Sequence, residues 1–196
     1  MAKVKLTKNE LKKQKDALAR FQRYLPTLML KKQQLQMVIR QVEAKIREIE
    51  AERDRLYREL QKWIAVFGED IGMEQIVKVK SVVRETGNIA GVDIPVFKSL
   101  EFEDIEYDLF DKPLWTDRGA EAMKNIAAYD AEIEVLKRQA ELLGEELRIT
   151  TQRVNLFEKV MIPETKENIR RIQIYLGDQQ TMAVVRGKFA KKKIQG

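Results

Sequence analysis

The sequence lacks two residue types on which many active sites depend. Its 196 residues include no cysteine and no histidine. The first absence excludes disulfides, thiolate nucleophiles and cysteine-ligated zinc. The second excludes imidazole bases, Ser-His-Asp triads and histidine metal sites. Only carboxylates, lysine, tyrosine and serine remain for an active site, so the composition counts against an enzyme.

Long apolar runs are missing as well. No stretch free of Asp, Glu, Lys and Arg exceeds seven residues. We therefore predict neither a transmembrane span nor a signal peptide, and expect a cytoplasmic protein. Charged residues make up 35% of the chain and hydrophobic residues 44%. This balance is typical of long amphipathic helices with solvated faces.

Glycine is absent before Gly68, and a continuous heptad pattern fills that segment. In alternating steps of three and four from Leu11 to Phe67, fourteen of seventeen positions are apolar. The pattern predicts a coiled-coil helix over residues 1–67. Lys32 and Arg53 occupy seam positions, meaning the a and d positions of the heptad. We expect their side chains to snorkel out of the seam rather than to fix its register.

The middle segment, residues 68–116, has a different pattern. Residues 76–83 and 89–97 are rich in β-branched side chains and predict two strands, with a turn at 86–88. Pro95 restricts the second strand to an edge or an end. Residues 101–111 contain six acids and no base. We interpret this run of like charge as a solvated linker. A calcium site is not expected, because the acids lack the spacing of a calcium loop.

The heptad pattern returns over residues 117–196. Thr116 or Asp117 is the predicted N-cap. The seam slips by one residue at Ile162-Pro163, which predicts a bend or a distorted turn. Two later glycines weaken the helix, and residues 189–193 are predicted to fray.

The predicted fold is mainly α. Two long helices fold back as an antiparallel two-helix coiled coil, with the β-hairpin insert at the end opposite the termini. Facing residue numbers then add up to about 184, which brings Pro26 and Pro163 to nearly one level. A parallel dimer of chains is the alternative architecture. At the prolines, a tolerated kink and a bend that makes the helix pair eccentric both stay open.

Three segments carry a family resemblance. Residues 25–32 and 147–163 resemble signature segments of the D subunit of the V/A-type ATPases, and residues 88–95 resemble that family's hairpin. The most specific stretch is Thr-Thr-Gln-Arg-Val-Asn at 150–155. The similarity runs from about Thr7 to Ile172.

The resemblance implies a non-catalytic rotor shaft. Such a shaft transmits torque between ATP hydrolysis or synthesis in a catalytic head and H⁺ or Na⁺ translocation in a membrane sector. The implied partners are the A and B subunits of the head, the small F subunit of the stalk, and the subunit, C or d, that couples the stalk to the membrane rotor. The resemblance further implies one copy per complex, a peripheral position in the soluble ATPase sector, and no cofactor, metal, nucleic acid or membrane insertion.

The resemblance also guides the site residues, because this family inserts its termini first into the head ring. The expected ring contacts are basic: Lys12, Lys13, Lys31, Arg153, Lys166, Arg170, Arg171 and Arg186. The aromatic residues Trp63, Phe67 and Trp115 are assigned to contact with the stalk partner. Closure of the coiled coil where the insert begins is the competing interpretation, and an aromatic side chain can serve both roles.

Two other classes remain as alternatives, a prefoldin-like chaperone and a basic coiled-coil nucleic-acid binder. The net charge of +6 motivates the second, but it is unevenly placed. Residues 1–15 and 186–196 each carry +5, which leaves −4 for the rest of the chain. The sequence is thus polarised rather than basic throughout, and its basic ends fit a sleeve with acidic or carbonyl-lined walls.

Overall fold

The structure, a computed structural model, describes residues 4–62, 76–103, 105, 113 and 115–195. Its elements in chain order are α1 (Lys8–Gln61), β1 (Val79–Ile89), β2 (Val92–Phe102), α2 (Thr116–Leu156), a π-helical turn (Phe157–Met161) and α3 (Ile162–Gln195). The mainly helical fold with a β-hairpin between two long helical segments confirms the predicted class. The three-part division at 67/68 and 116/117 stays a prediction, because residues 63–75 lie outside the described part.

Helix α1 begins where its sequence provides a cap. The Thr7 hydroxyl oxygen accepts a hydrogen bond from the backbone N–H of Glu10 at 3.2 Å, which satisfies one donor of the first turn. The helix then continues through Pro26 without interruption. Next to that proline, the Thr27 hydroxyl donates to the carbonyl of Tyr24 at 2.7 Å.

The two strands form the predicted antiparallel hairpin, but the turn lies elsewhere. Ile89 pairs with Val92, so the loop has two residues, Ala90 and Gly91. Both have positive φ, 52° and 78°, as in the type I′ turn that matches strand twist. The predicted turn at residues 86–88 is therefore wrong. Gly87 pairs with Ile94 inside the ladder.

Two glycines provide a matched test of backbone conformation. At Gly91 and at Gly144 of α2, an added Cβ meets no atom within 4 Å. Gly91→Ala should destabilise the hairpin by about 1 kcal/mol, because its φ is positive. Gly144→Ala should stabilise α2 by about 1 kcal/mol, because alanine is the better helix former. Chemical denaturation measures both changes, and equal signs would contradict this assignment of the turn.

The contacts divide the chain into two compact units. Unit 2 comprises residues 33–148, and unit 1 comprises residues 1–32 and 149–196. In unit 2, α1 and α2 share a seam whose buried side chains form one core together with the hairpin residue Ile94. These side chains are Leu35, Val42, Ile46, Ile49, Ile133, Leu136 and Leu143. The seam accounts for most of the apolar burial in this unit.

The antiparallel register follows the prediction. For four pairs of residues in contact across the two helices, the two residue numbers add up to between 177 and 187, around the expected 184. Ion pairs cross between α1 and α2 beside the seam, and each adds at most about 1 kcal/mol because its side chains are partly exposed. The cross-helix contacts are Lys45–Glu132 at 3.1 Å, Glu50–Lys137 at 3.1 Å, Arg53–Asp130 at 3.0 Å and, in unit 1, the rings of Phe21 and Phe157 at 5.3 Å.

Helix α2 starts at the predicted position with a different cap. Thr116 is fully buried, and its hydroxyl donates to the carbonyl of Pro113 at 2.7 Å. The first helical hydrogen bond joins the N–H of Gly119 to the carbonyl of Trp115 at 2.9 Å. Neither predicted residue is therefore the N-cap, and Trp115 occupies that position.

The π-helical turn in unit 1 explains the seam slip. The backbone N–H of Ile162 bonds to the carbonyl of Phe157, five residues earlier, so this turn holds one residue more than an α-helical turn. One extra residue is the size of the heptad slip. Pro163 then lies in the first turn of α3, where a missing N–H is tolerated. The predicted distorted turn is confirmed.

The end of the chain differs from expectation. Residues 189–193 were predicted to fray, yet α3 continues to Gln195. Gly177 and Gly187 cost about 1 kcal/mol each, but no proline follows Pro163 and the last turns are rich in Lys, a good helix former. From residue 177 to residue 194 every side chain is exposed.

Candidate interaction surface

The two units carry opposite charge. Unit 1 holds 20 basic and six acidic residues, for a net charge of +14, whereas unit 2 holds 17 basic and 25 acidic residues, for −8. The contrast is much larger than the overall +6 indicates. Unit 1 is therefore the part of the chain suited to an acidic or carbonyl-rich partner.

All eight predicted ring-contact residues fall in unit 1. Seven of them are exposed, and Lys31 is half-buried. Arg171 is engaged within its own helix, because its Nε bonds to a carboxylate oxygen of Glu167 at 3.1 Å. Arg186 donates to the carbonyl of Met182 at 3.4 Å. The others with exposed side chains are Lys12, Lys13, Arg153, Lys166 and Arg170.

Sequence reasoning missed the apolar component of this surface. Helix α3 exposes large apolar side chains among its basic residues, including Phe189 at 70%. They do not follow the seam spacing, so a search for heptads alone overlooks them. The signal available in the sequence was that large apolar residues recur between positions 174 and 194 at intervals of seven residues or fewer. The exposed apolar residues are Ile174, Tyr175, Met182, Val184, Val185, Phe189 and Ile194.

The predicted aromatic contacts are described only in part. Trp63 and Phe67 lie outside the described residues. Trp115 is half-buried at the start of α2 in unit 2. Near this end, an apolar groove of about 390 Å³ lies between the helices, bordered by Tyr57, Leu60 and Met123 among others. Whether the aromatic side chains contact the stalk partner remains a prediction.

Arg53 leaves the seam as expected and forms bonds at the surface. Its guanidinium donates to carboxylate oxygens of Asp54 at 2.8 Å and Asp130 at 3.0 Å. These hydrogen bonds raise the pKa of Arg53 above its ordinary value, with Asp54 the larger cause. Because Asp130 belongs to α2, the residue also links the two helices across the seam, which ties their register locally.

The described residues contain no cluster of three or more potential metal ligands. Nor does any helix within them have the length and apolarity needed to cross a membrane.

Comparisons with known proteins identify the family. A family profile described as the D subunit of ATP synthase matches residues 10–192. A relative named as the D subunit of V-type ATP synthase, from Borreliella burgdorferi, is 54% identical over 99% of this chain and 96% of its own length. The chain belongs to the family of ATP synthase D subunits.

More distant relatives that are also named as the D subunit of V-type ATP synthase match nearly the whole chain as well. The one from Chlamydia pneumoniae is 35% identical over 98% of this chain and 93% of its own length. The one from Chlamydia trachomatis serovar L2 is 36% identical over 99% and 97%. Membership in the D-subunit family favours the resemblance noted in the sequence over the two alternatives, a prefoldin-like chaperone and a nucleic-acid binder.

Proposed function

We propose that this member of the D-subunit family is the central rotor shaft of a V-type ATP synthase. It transmits torque between ATP hydrolysis or synthesis in the catalytic head and H⁺ or Na⁺ translocation in the membrane sector. It performs no catalysis and binds no cofactor. Its place is on the cytoplasmic side, peripheral to the membrane within the soluble ATPase sector.

The observation that carries the proposal is the exposed end of α3. Eighteen consecutive residues, 177–194, are exposed, and their side chains combine apolar groups with five basic ones. A helix that buries nothing is marginally stable in water. Its apolar side chains gain about 1.5–3 kcal/mol each when a partner covers them. This segment fits insertion into a protein sleeve, which is the role of the termini in a rotor shaft.

The paired helices suit torque transmission. A continuous seam resists sliding of one helix past the other, and β-branched residues such as Ile39 and Ile46 restrict side-chain rotation within it. Cross-helix ion pairs, including Arg53–Asp130, oppose changes of register. Outside the exposed end of α3, the outer faces are rich in charged side chains whose ion pairs contribute little individually, so they do not lock the chain to a surrounding ring.

The proposed partners divide between the two units. Unit 1, with its charge of +14, contacts the A and B subunits of the head through the basic residues named above. Unit 2 contacts the small F subunit of the stalk and the coupling subunit, C or d, with Trp63, Phe67 and Trp115 as anchors. One copy of the chain serves each head ring.

Co-expression tests the assignment. The chain is produced with the A and B subunits of the head and the F subunit of the stalk, and the purified assembly is weighed by native mass spectrometry. We expect one copy of this chain per ring of three A and three B subunits. Absence of the chain from an otherwise assembled ring would defeat the proposal, as would ATPase activity of the chain alone.

The basic surface of unit 1 predicts a salt-dependent association. Replacing Lys12, Lys13, Lys166 and Arg170 by Gln should weaken binding to the head ring by roughly tenfold at low salt and by less at high salt, because screening removes the same interaction. A matched control replaces Arg40, Arg47, Arg55 and Arg58 of unit 2 by Gln. Equal weakening by both variants would contradict the assignment of ring contacts to unit 1.

A further inference from the structure

The hairpin lies along the side of α2 and is attached to it at two levels. At one level, the Lys124 ammonium is 5.6 Å from the centre of the Phe102 ring. At the other, the Gln139 side-chain amide donates to the carbonyl of Pro95 at 2.5 Å. The helix rises about 22 Å between these attachments, and the strand spans about 23 Å. The match means that β2 runs antiparallel to α2 over about four turns.

Helix α2 therefore has a second packing face beside its seam. The residues of this face are spaced by three or four, as required for one side of a helix. Val135 is off the seam and yet only 1% exposed, and Gln139, one turn further, is 6% exposed. The positions of this face are Lys124, Ala128, Glu132, Val135 and Gln139.

The hairpin also reaches the core that α1 contributes to, with Ile94 as its one fully buried side chain there and Ile89, Ala90 and Val92 of its tip packed against it in part. Ile94 is 2% exposed and belongs to the core that α1 and α2 share. It borders a cleft of about 290 Å³ together with Val38 and Val42 of α1 and Leu136 of α2. Strand β2 thus covers the groove between the two helices and contacts both of them.

We propose that the hairpin is a releasable strap, held to α1 and α2 by the buried side chain of Ile94, by the partly buried tip residues Ile89, Ala90 and Val92 packed against the same core, and by the Gln139–Pro95 hydrogen bond. A two-stranded sheet is marginally stable by itself, whereas the helices keep their own seam and ion pairs when the strap opens. Release therefore unfolds the hairpin and leaves the helices paired. In the open state the apolar cleft that holds Ile94 is exposed, and β2 no longer contacts α1 and α2. The helix pair is then easier to bend and twist.

If the chain is a rotor shaft, the closed strap makes the shaft stiffer where the hairpin contacts α1 and α2. That consequence rests on the proposed function, whereas the strap itself does not. The test therefore uses the full chain alone, so that its result is independent of whether the chain assembles with a head ring.

Amide hydrogen exchange tests the release. Ile94→Ser and Gln139→Ala should each speed exchange across residues 79–102 by at least about tenfold, because opening of the strap exposes the ladder. Exchange in residues 8–32 should stay unchanged. Val79→Ser is the matched control, since Val79 is a β-branched strand residue that is 51% exposed. It should change hairpin exchange by less than about twofold.

The distance between the helices provides a second readout. Because the chain has no cysteine, spin labels at Ala44→Cys and Glu134→Cys, both at exposed positions, report only on α1 and α2. Ile94→Ser should broaden their distance distribution without unpairing the helices. Two results would overturn the strap: unchanged hairpin exchange in Ile94→Ser, or acceleration of the paired segments 38–46 and 132–139 by the same factor as the hairpin, which would make them one cooperative unit.

Discussion

Deleting a single exposed residue of α1, Ala44, should cost at least about 4 kcal/mol of unfolding free energy. The residue lies between two pairs of buried seam residues, Leu35 and Val42 before it and Ile46 and Ile49 after it. A deletion turns one part of the helix by about 100° relative to the other. Either pair then leaves the seam, and each lost side chain costs about 2–5 kcal/mol. The melting temperature should fall by about 10 °C or more.

The matched deletion, of Val160 in the π-helical turn, should be tolerated. Removing one residue there converts the turn to a regular helix and removes the seam slip, and Ile162 takes the seam position of Met161. Pro163→Ala accompanies both deletions, because proline within a regular helix costs about 3 kcal/mol. We expect the Val160 deletion to change stability by less than about 2 kcal/mol. Equal losses in the two deletions would show that the turn does not compensate the slip.

Truncation after Leu176 should leave the stability of the fold nearly unchanged while weakening binding to the head ring. The segment that it removes buries no described side chain, so the melting temperature of the remaining chain should change by less than about 3 °C. Binding to the head ring should weaken by more than about tenfold, because burial of one large apolar side chain already exceeds the 1.4 kcal/mol that a tenfold change requires.

Point substitutions sharpen the truncation experiment. Met182→Asp and Phe189→Asp place a charge on the exposed apolar side chains of α3 and should weaken ring binding without affecting the fold. Gln179→Asp, also at an exposed position, controls for the added charge alone. A truncated chain that binds the ring as tightly as the full chain would remove the main support for insertion of this segment.

The sequence predicted the parts of the fold that depend on regular spacing. Heptads located both helices and their antiparallel register, because a seam must stay buried along its length. The same pattern located the π-helical turn, since one additional residue shifts every later seam position. The turn of the hairpin was misplaced, because Gly87 looked like a turn residue, whereas the strand twist places the two-residue loop at Ala90 and Gly91.

Features that depend on contacts distant in sequence were not predictable in the same way. The hairpin was expected at the end of the helices, and the structure adds that it packs along their side. That packing depends on Ile94 and Gln139, which are 45 residues apart and have no shared periodicity. The basic residues predicted as ring contacts all fall in one unit, and their contact with a ring stays a prediction. The exposed apolar residues of α3 escaped a search that followed only the seam.

Rotation of the chain inside its complex is the most direct test of the proposed shaft. A bead or gold particle is attached to this chain through Glu134→Cys, the head subunits are fixed to a surface, and ATP is added. The shaft assignment predicts rotation of the particle in one direction, with pauses that follow the three-fold symmetry of the ring. A complex that hydrolyses ATP while the particle stays still would contradict it.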